Sequence, residues 1–289
     1  MPKRISSLVP MLLTLGLWGV VPPAHGQALA PHILTLDADY LENQGLGLAQ
    51  EAAQLAQFQQ YELALPRAQL ATQLVPGNAQ VWALLGNLYR QVDDIDNSIN
   101  ALQQARSIEP ANPGILFALG SAYIQQERYS QAITYLQAGL RIEPEVPGAL
   151  FDLGNAYYMA ERYEEAIAEY EKAIALDETF WPAVNNIGLV LYEQGDVQGA
   201  IDYWQATLEI DALQAEPQLA IAVALYHQGQ ESEGLRLGEA ALRLDQRYAE
   251  LDFLRLNLWG DRLMDDAQEF LALPQIRRTI SGLTGASFE

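Results

Sequence analysis

Few residues of this chain stand at spacings that chemistry requires. Its 289 residues include three histidines and no cysteine. The absent thiol removes disulfides, zinc–thiolate sites, iron–sulfur clusters and a cysteine nucleophile together. Beyond Gly26 the histidines are His32 and His227, too far apart in sequence to suggest a pair, and each reads as a lone surface imidazole. Gly45-Leu46-Gly47 opens a dinucleotide-like glycine pattern, but Gln50 stands where the third glycine is needed and no strand precedes it. There is no P-loop and no Gly-x-Ser-x-Gly elbow. Asp93-Asp94-Ile95-Asp96 faintly resembles a calcium loop. Counted from Asp94, however, the loop glycine is Ile99 and the closing glutamate is Ala105, which leaves a helix cap as the simpler reading. Glu161, Glu165 and Glu169 recur at i, i+4 and would share one helical face with affinity for a hard cation. Such stripes are more often solvated outer surfaces, so an acidic carrier of Mn²⁺ or Ca²⁺ is the alternative reading. The expectation is a chain that is not an enzyme and carries no cofactor.

Composition narrows the classes further. Half of the residues are hydrophobic, enough for a sizeable core in spite of a formal charge of −21. With 37 acidic against 16 basic side chains, nucleic acid is not an expected partner, since its phosphates need Lys and Arg. Plain electrostatic docking on anionic lipid is disfavoured on the same ground.

The N-terminal segment reads as a separate element. Lys3-Arg4 precedes an apolar stretch from Leu8 to Val21, followed by Pro22-Pro23 and the small-residue series Ala24 to Ala28. This is the layout of a secretory signal, with cleavage after Gly26 or Ala28. The rival is an uncleaved anchor, but spanning ~30 Å of hydrocarbon takes about 20 apolar residues. The stretch from Leu8 to Val21 is shorter than that, and Gly16 and Gly19 sit within it. The expected location is therefore outside the cytoplasm, in a periplasm or thylakoid lumen. Membrane association would come only through a partner or an uncleaved N-terminal segment. Removal of 1–26 would leave a charge of −23.

The elements that would position any site emerge from a period. Gly86, Gly120, Gly154 and Gly188 are spaced by 34, as are Ala132, Ala166 and Ala200, and Pro76, Pro110 and Pro144. Counted without gaps from Gly45, six units of this length end at Tyr248. The segment 27–44 precedes them as an N-terminal cap, and 249–289 follow as C-terminal capping helices and a tail. Apolar residues at i, i+3, i+4 and i+7 in each half-unit predict two amphipathic helices. A glycine at the eighth position costs ~1 kcal/mol of helix propensity, a cost consistent with close approach of a neighbouring helix. The small residue at the twentieth position is the expected facing surface. One pair cannot bury its apolar face alone, so stacking supplies the core.

The order Trp82 or Leu, Leu-Gly, Tyr89/Tyr123/Tyr157, small residue, closing Pro resembles the tetratricopeptide repeat, over positions 45–248 of the chain. The resemblance implies an all-α, right-handed superhelical solenoid that serves as a non-catalytic scaffold or adaptor, holding a peptide or helix of a protein partner in its concave groove. Exported proteins of this type commonly assist assembly of membrane or photosynthetic complexes. The resemblance also implies that the concave surface is lined by first helices at unit positions two, five, nine, twelve and thirteen. The implied groove residues are Asn87, Arg90, Phe117, Ser121, Phe151, Asn155, Tyr158, Asn185, Tyr192 and Tyr226, with Asn186 one step away. A share of them is expected to be inter-helix packing. Repeats of this family that hold acidic chaperone tails use a Lys/Arg clamp at these slots. Here Arg90 is the only cation among them, so apolar, neutral or mildly basic segments are the expected ligands.

Overall fold

The computed structural model describes residues 37–285, and the N-terminal signal expected over 1–26 lies outside them. Among the described residues there are fifteen α-helices, one 3-10 turn (Gln246–Ala249) and no strand. Six antiparallel pairs follow one another: α1 (Ala38–Gln57) with α2 (Tyr61–Leu74), α3 (Ala79–Gln91) with α4 (Ile95–Ile108), α5 (Pro113–Gln125) with α6 (Tyr129–Leu140), α7 (Pro147–Tyr158) with α8 (Tyr163–Leu176), α9 (Trp181–Gln194) with α10 (Val197–Ile210), and α11 (Ala215–His227) with α12 (Glu231–Leu244). Then come α13 (Leu251–Leu256), α14 (Asp261–Leu271) and α15 (Pro274–Gly285). Each second helix packs on the first helix of the next pair. Successive first helices from α1 to α9 also touch one another, whereas second helices make no comparable contact. The first helices therefore form the inner layer of an α-solenoid.

The turn inside each pair is the same device six times. Gln59, Asp93, Glu127, Glu161, Gly195 and Gly229 all have positive φ and are spaced by 34. Around Asp93, Asp94 N–H donates to the Tyr89 carbonyl at 2.9 Å and Asp93 N–H to the Arg90 carbonyl at 3.2 Å. That double bond pattern is a Schellman closure, which satisfies the last carbonyls of the first helix. Asp94 then caps α4 by accepting from Asn97 N–H at 3.4 Å, the role the sequence suggested for this acidic run. Asn78 and Asn112 cap α3 and α5 in the same way.

The helix-interior glycines face something other than expected. A Cβ on Gly86, Gly120, Gly154 or Gly188 would overlap the side chain of Leu102, Leu136, Tyr170 or Trp204, respectively. The close neighbour is thus a large residue four positions beyond the small one, and the glycine is a socket for it. In the sixth pair the arrangement reverses. Ala222 takes the glycine's place, Gly238 takes the large residue's place, and the ring of Phe270 from α14 lies against Gly238.

A second repeating feature ties neighbouring pairs. Gln69, Gln103 and Gln137 donate through Nε2 to the hydroxyls of Tyr89, Tyr123 and Tyr157, at 2.9, 3.2 and 2.7 Å. Arg128 and Arg162 cover the rings of Tyr123 and Tyr157, 5.0 and 4.4 Å from their centroids. The ladder stops at the next unit, where Glu171 and Leu191 occupy the corresponding positions.

The inner face as candidate functional site

The inner layer divides into an open part and a covered part. From the C-terminal end, α14 turns back over α9 and α11, while α15 packs on α12. The segment expected to cap the end of the stack therefore does so only through α15; α14 lies on the first helices themselves. The N-terminal start also differs, since α1 runs without a break from Ala38 through the segment assigned to a cap.

Glu193 anchors α14. Its carboxylate accepts from the backbone N–H groups of Arg262 and Leu263, both at 3.0 Å, and so caps the positive end of that helix from another element. Burial, its largest influence, pushes the Glu193 carboxyl above the usual range in opposition to these bonds. Tyr192 donates to Asp266 at 2.5 Å, and Arg262 covers the Tyr192 ring at 5.2 Å. The Tyr226 ring stands edge-on to Phe270, 5.5 Å away, and His227 meets the Asp266 carbonyl at 3.0 Å. Leu263, Met264, Ala267, Phe270 and Leu271 are all buried, and each large one contributes about 1.5–3 kcal/mol by leaving water.

Below this lies a chain of buried polar groups. Asn155 accepts from Tyr170 at 2.7 Å and from Asn186 at 2.9 Å, and Asn185 donates to Asn186 at 3.1 Å. Trp204 donates to the Asn185 carbonyl at 3.2 Å. Glu216 accepts from Trp259 at 3.2 Å. Burial pushes the Glu216 carboxyl up to about 7, against the pull of bonds from Asn185, Trp259 and Tyr248. These groups largely satisfy one another between helices, as burial demands, although Asn185 Oδ1 is buried without a hydrogen-bond partner among the described residues.

The residues implied as groove lining thus part company. Asn155, Asn185, Asn186, Tyr158 and Tyr192 are buried and act between elements rather than toward open space. Tyr158 lies beside the Gly260 backbone, and burial raises its phenol well above the ordinary range. Phe117 packs on Gly139, and Phe151 sits between the rings of Tyr170 and Phe180 at 5.8 and 5.4 Å. Tyr226 is under α14. Asn87, Arg90 and Ser121 remain partly exposed on α3 and α5, together with Ile124, Gln125 and, just past the end of α7, Met159. Glu193 and Glu216 fall at groove positions of their units, but their anchoring roles were not readable there, because nothing in the period announces a helix that returns. The signal that could have found it is Gly238, an empty slot in a position filled by Leu102, Leu136, Tyr170 and Trp204 in the four preceding units, together with the apolar stripe Leu263, Met264, Ala267, Phe270, Leu271.

The acidic stripe does not converge on an ion. Glu165 pairs with Arg162 at 2.7 Å and Glu169 with Lys172 at 2.8 Å, and among the described residues no group of three potential metal ligands comes together. His32 lies outside the described residues.

A stack of helix pairs with a continuous inner face defines the protein as a helical-repeat interaction scaffold. Family models agree. One described as tetratricopeptide repeat matches residues 117–179 and 185–249, and one described as TPR repeat matches 86–126. The chain belongs to the tetratricopeptide-repeat family. No curated protein matches it. Among solved structures it is similar to MamA (25% identity, 57% of this chain and 96% of that one, TM-score 0.51). It is also similar to PilW, described as a widely conserved type IV pilus biogenesis factor (20% identity, 71% and 95%, TM-score 0.65). A third is YrrB, described as a TPR protein with an unusual peptide-binding site (17% identity, 70% and 97%, TM-score 0.50). The latter two likenesses concern the fold.

Proposed function

We propose that this protein is a non-catalytic adaptor of an exported compartment that holds a polypeptide segment of a partner on the open part of its inner face, over α3, α5 and α7. The observation that carries the reading is α14. In this chain the inner face already receives a polypeptide segment, through groove-position side chains, in the C-terminal units, while the same layer stands open in the N-terminal ones. Reaching the covered part would mean displacing several buried side chains, so the open part is the accessible one. The basic-apolar-small pattern from Lys3 to Ala28 supports export. Among the described residues no helix is long and apolar enough to cross a membrane. A role in assembling a membrane or photosynthetic complex is the process we assign to such an adaptor.

Site-specific photo-crosslinking in the native cell envelope tests this. A crosslinker at Gln125 or Met159, on the open inner face, is expected to trap one discrete partner, and a crosslinker at the exposed turn residue Leu213 is expected not to. Equal trapping from all three positions, or none from the first two, would overturn the reading.

A further inference from the structure

Within that open face, one pair of charged groups is incompletely satisfied. Arg90, near the end of α3, makes no ion pair and no side-chain hydrogen bond among the described residues, and its Nε is buried without a partner. Asp152, on α7, accepts from the Ser121 hydroxyl of α5 through Oδ2 at 2.5 Å. Ser121 Oγ also lies 3.2 Å from the Phe117 carbonyl. Arg90 is close enough to favour the Asp152 carboxylate electrostatically, yet burial is the larger influence and pushes that carboxyl above the usual range. The two groups therefore sense each other across a gap wider than an ion pair. Three successive first helices contribute to the arrangement, one residue each.

We propose that Arg90, Ser121 and Asp152 form a subsite that takes a neutral amide, either an Asn or Gln side chain or a main-chain peptide unit of an extended partner segment. The inference rests on the reading that a partner segment occupies the open face. An amide is the simplest peptide group that offers a carbonyl to the guanidinium and an N–H to the carboxylate at once. A ligand carboxylate would gain Arg90 but meet the like charge of Asp152. A ligand ammonium or guanidinium would gain Asp152 but meet Arg90. The site discriminates against both by repulsion.

Random peptides displayed on phage and selected on the full chain provide the test, with Arg90→Ala and Asp152→Ala as parallel targets and unchanged melting curves as the control for folding. The wild type is expected to enrich Asn, Gln or uncharged residues at an anchor position. Arg90→Ala leaves Asp152 unopposed and is expected to enrich Lys or Arg there, whereas Asp152→Ala is expected to enrich Asp or Glu. Peptides selected on the wild type should lose roughly tenfold in affinity on either variant, the equivalent of one charge-assisted hydrogen bond. Loss of binding on Ala replacement of the anchor assigns a side-chain amide, and retention assigns the main chain. Enrichment that is the same on all three targets would overturn the subsite while leaving the open-face reading in place. No enrichment on any target would overturn both.

Discussion

The two halves of the inner layer are built on one period and do opposite things. At the twelfth and thirteenth positions the N-terminal half has Arg90-Gln91 and Ile124-Gln125, and the C-terminal half has Tyr192-Glu193 and Tyr226-His227. The backbone frame repeats, so the difference lies in the side chains. Paired tyrosines give a docking helix large rigid surface at low entropic cost, and Glu193 supplies a carboxylate where a helix N-terminus needs an acceptor. That half has closed on the chain's own α14. The other half offers an unpaired guanidinium, a hydroxyl and a half-covered carboxyl, and it has stayed open. Closure here thus rests on a few side chains, Tyr192, Glu193 and Tyr226 with the Gly238 slot for Phe270, laid on a backbone frame that repeats throughout.

The largest test of this contrast is the filler at the junction. Phe270→Ala is expected to destabilise the C-terminal units by about 3–5 kcal/mol, the usual cost of emptying a buried aromatic site. Hydrogen exchange should rise in α9, α11 and α14 and stay unchanged in α3 and α5. A cost below ~1 kcal/mol would mean that α14 is loosely held and the two halves are alike. Next comes Glu216. Its carboxyl is raised to about 7 in the folded chain, so between the ordinary carboxylate range and pH 7 the folded state holds more protons than the unfolded one. Stability contributed by this group is therefore present at lower pH and falls as pH rises, by about 3 kcal/mol between pH 5 and 8. Glu216→Gln is expected to flatten that slope in chemical denaturation and to be the more stable form at pH 8. An unchanged slope would remove Glu216 as its source. Glu193→Ala takes away the cap on α14 and should cost about 1 kcal/mol, read as a lower unfolding midpoint for the C-terminal units. The smallest effect concerns the turns, where the N-terminal units place Gln59, Asp93, Glu127 and Glu161 in the left-handed region and the last two units use glycine. Glu127→Gly should relieve strain of about 1 kcal/mol, and an equal loss instead would mean that the side chain contributes more than its backbone costs.

Much of the fold was legible in the sequence. The even spacing of Gly86, Gly120, Gly154 and Gly188, with the amphipathic halves around them, gives the helix pairs and their stacking. The Gln-to-Tyr ladder could also have been read, because 69–89, 103–123 and 137–157 share one spacing. The left-handed turn residue could not, since only Gly195 and Gly229 among the six advertise it. Of the groove residues, Asn87, Arg90 and Ser121 stand on the open face. Register alone places Asn155, Asn185 and Asn186 in the same layer, and register says which layer a residue belongs to, not whether another element covers it.

The sequence by itself determined the repeat, its length, the spacing of the glycines and the layer in which each first-helix side chain sits, because those follow from local periodicity. The tertiary structure alone decided which part of that layer is free. The return of α14 joins Glu193 to Arg262 and Leu263, and Gly238 to Phe270, between stretches of sequence that share no period. Such a contact is selected by shape and by unsatisfied hydrogen-bonding groups in three dimensions, and a one-dimensional pattern holds neither.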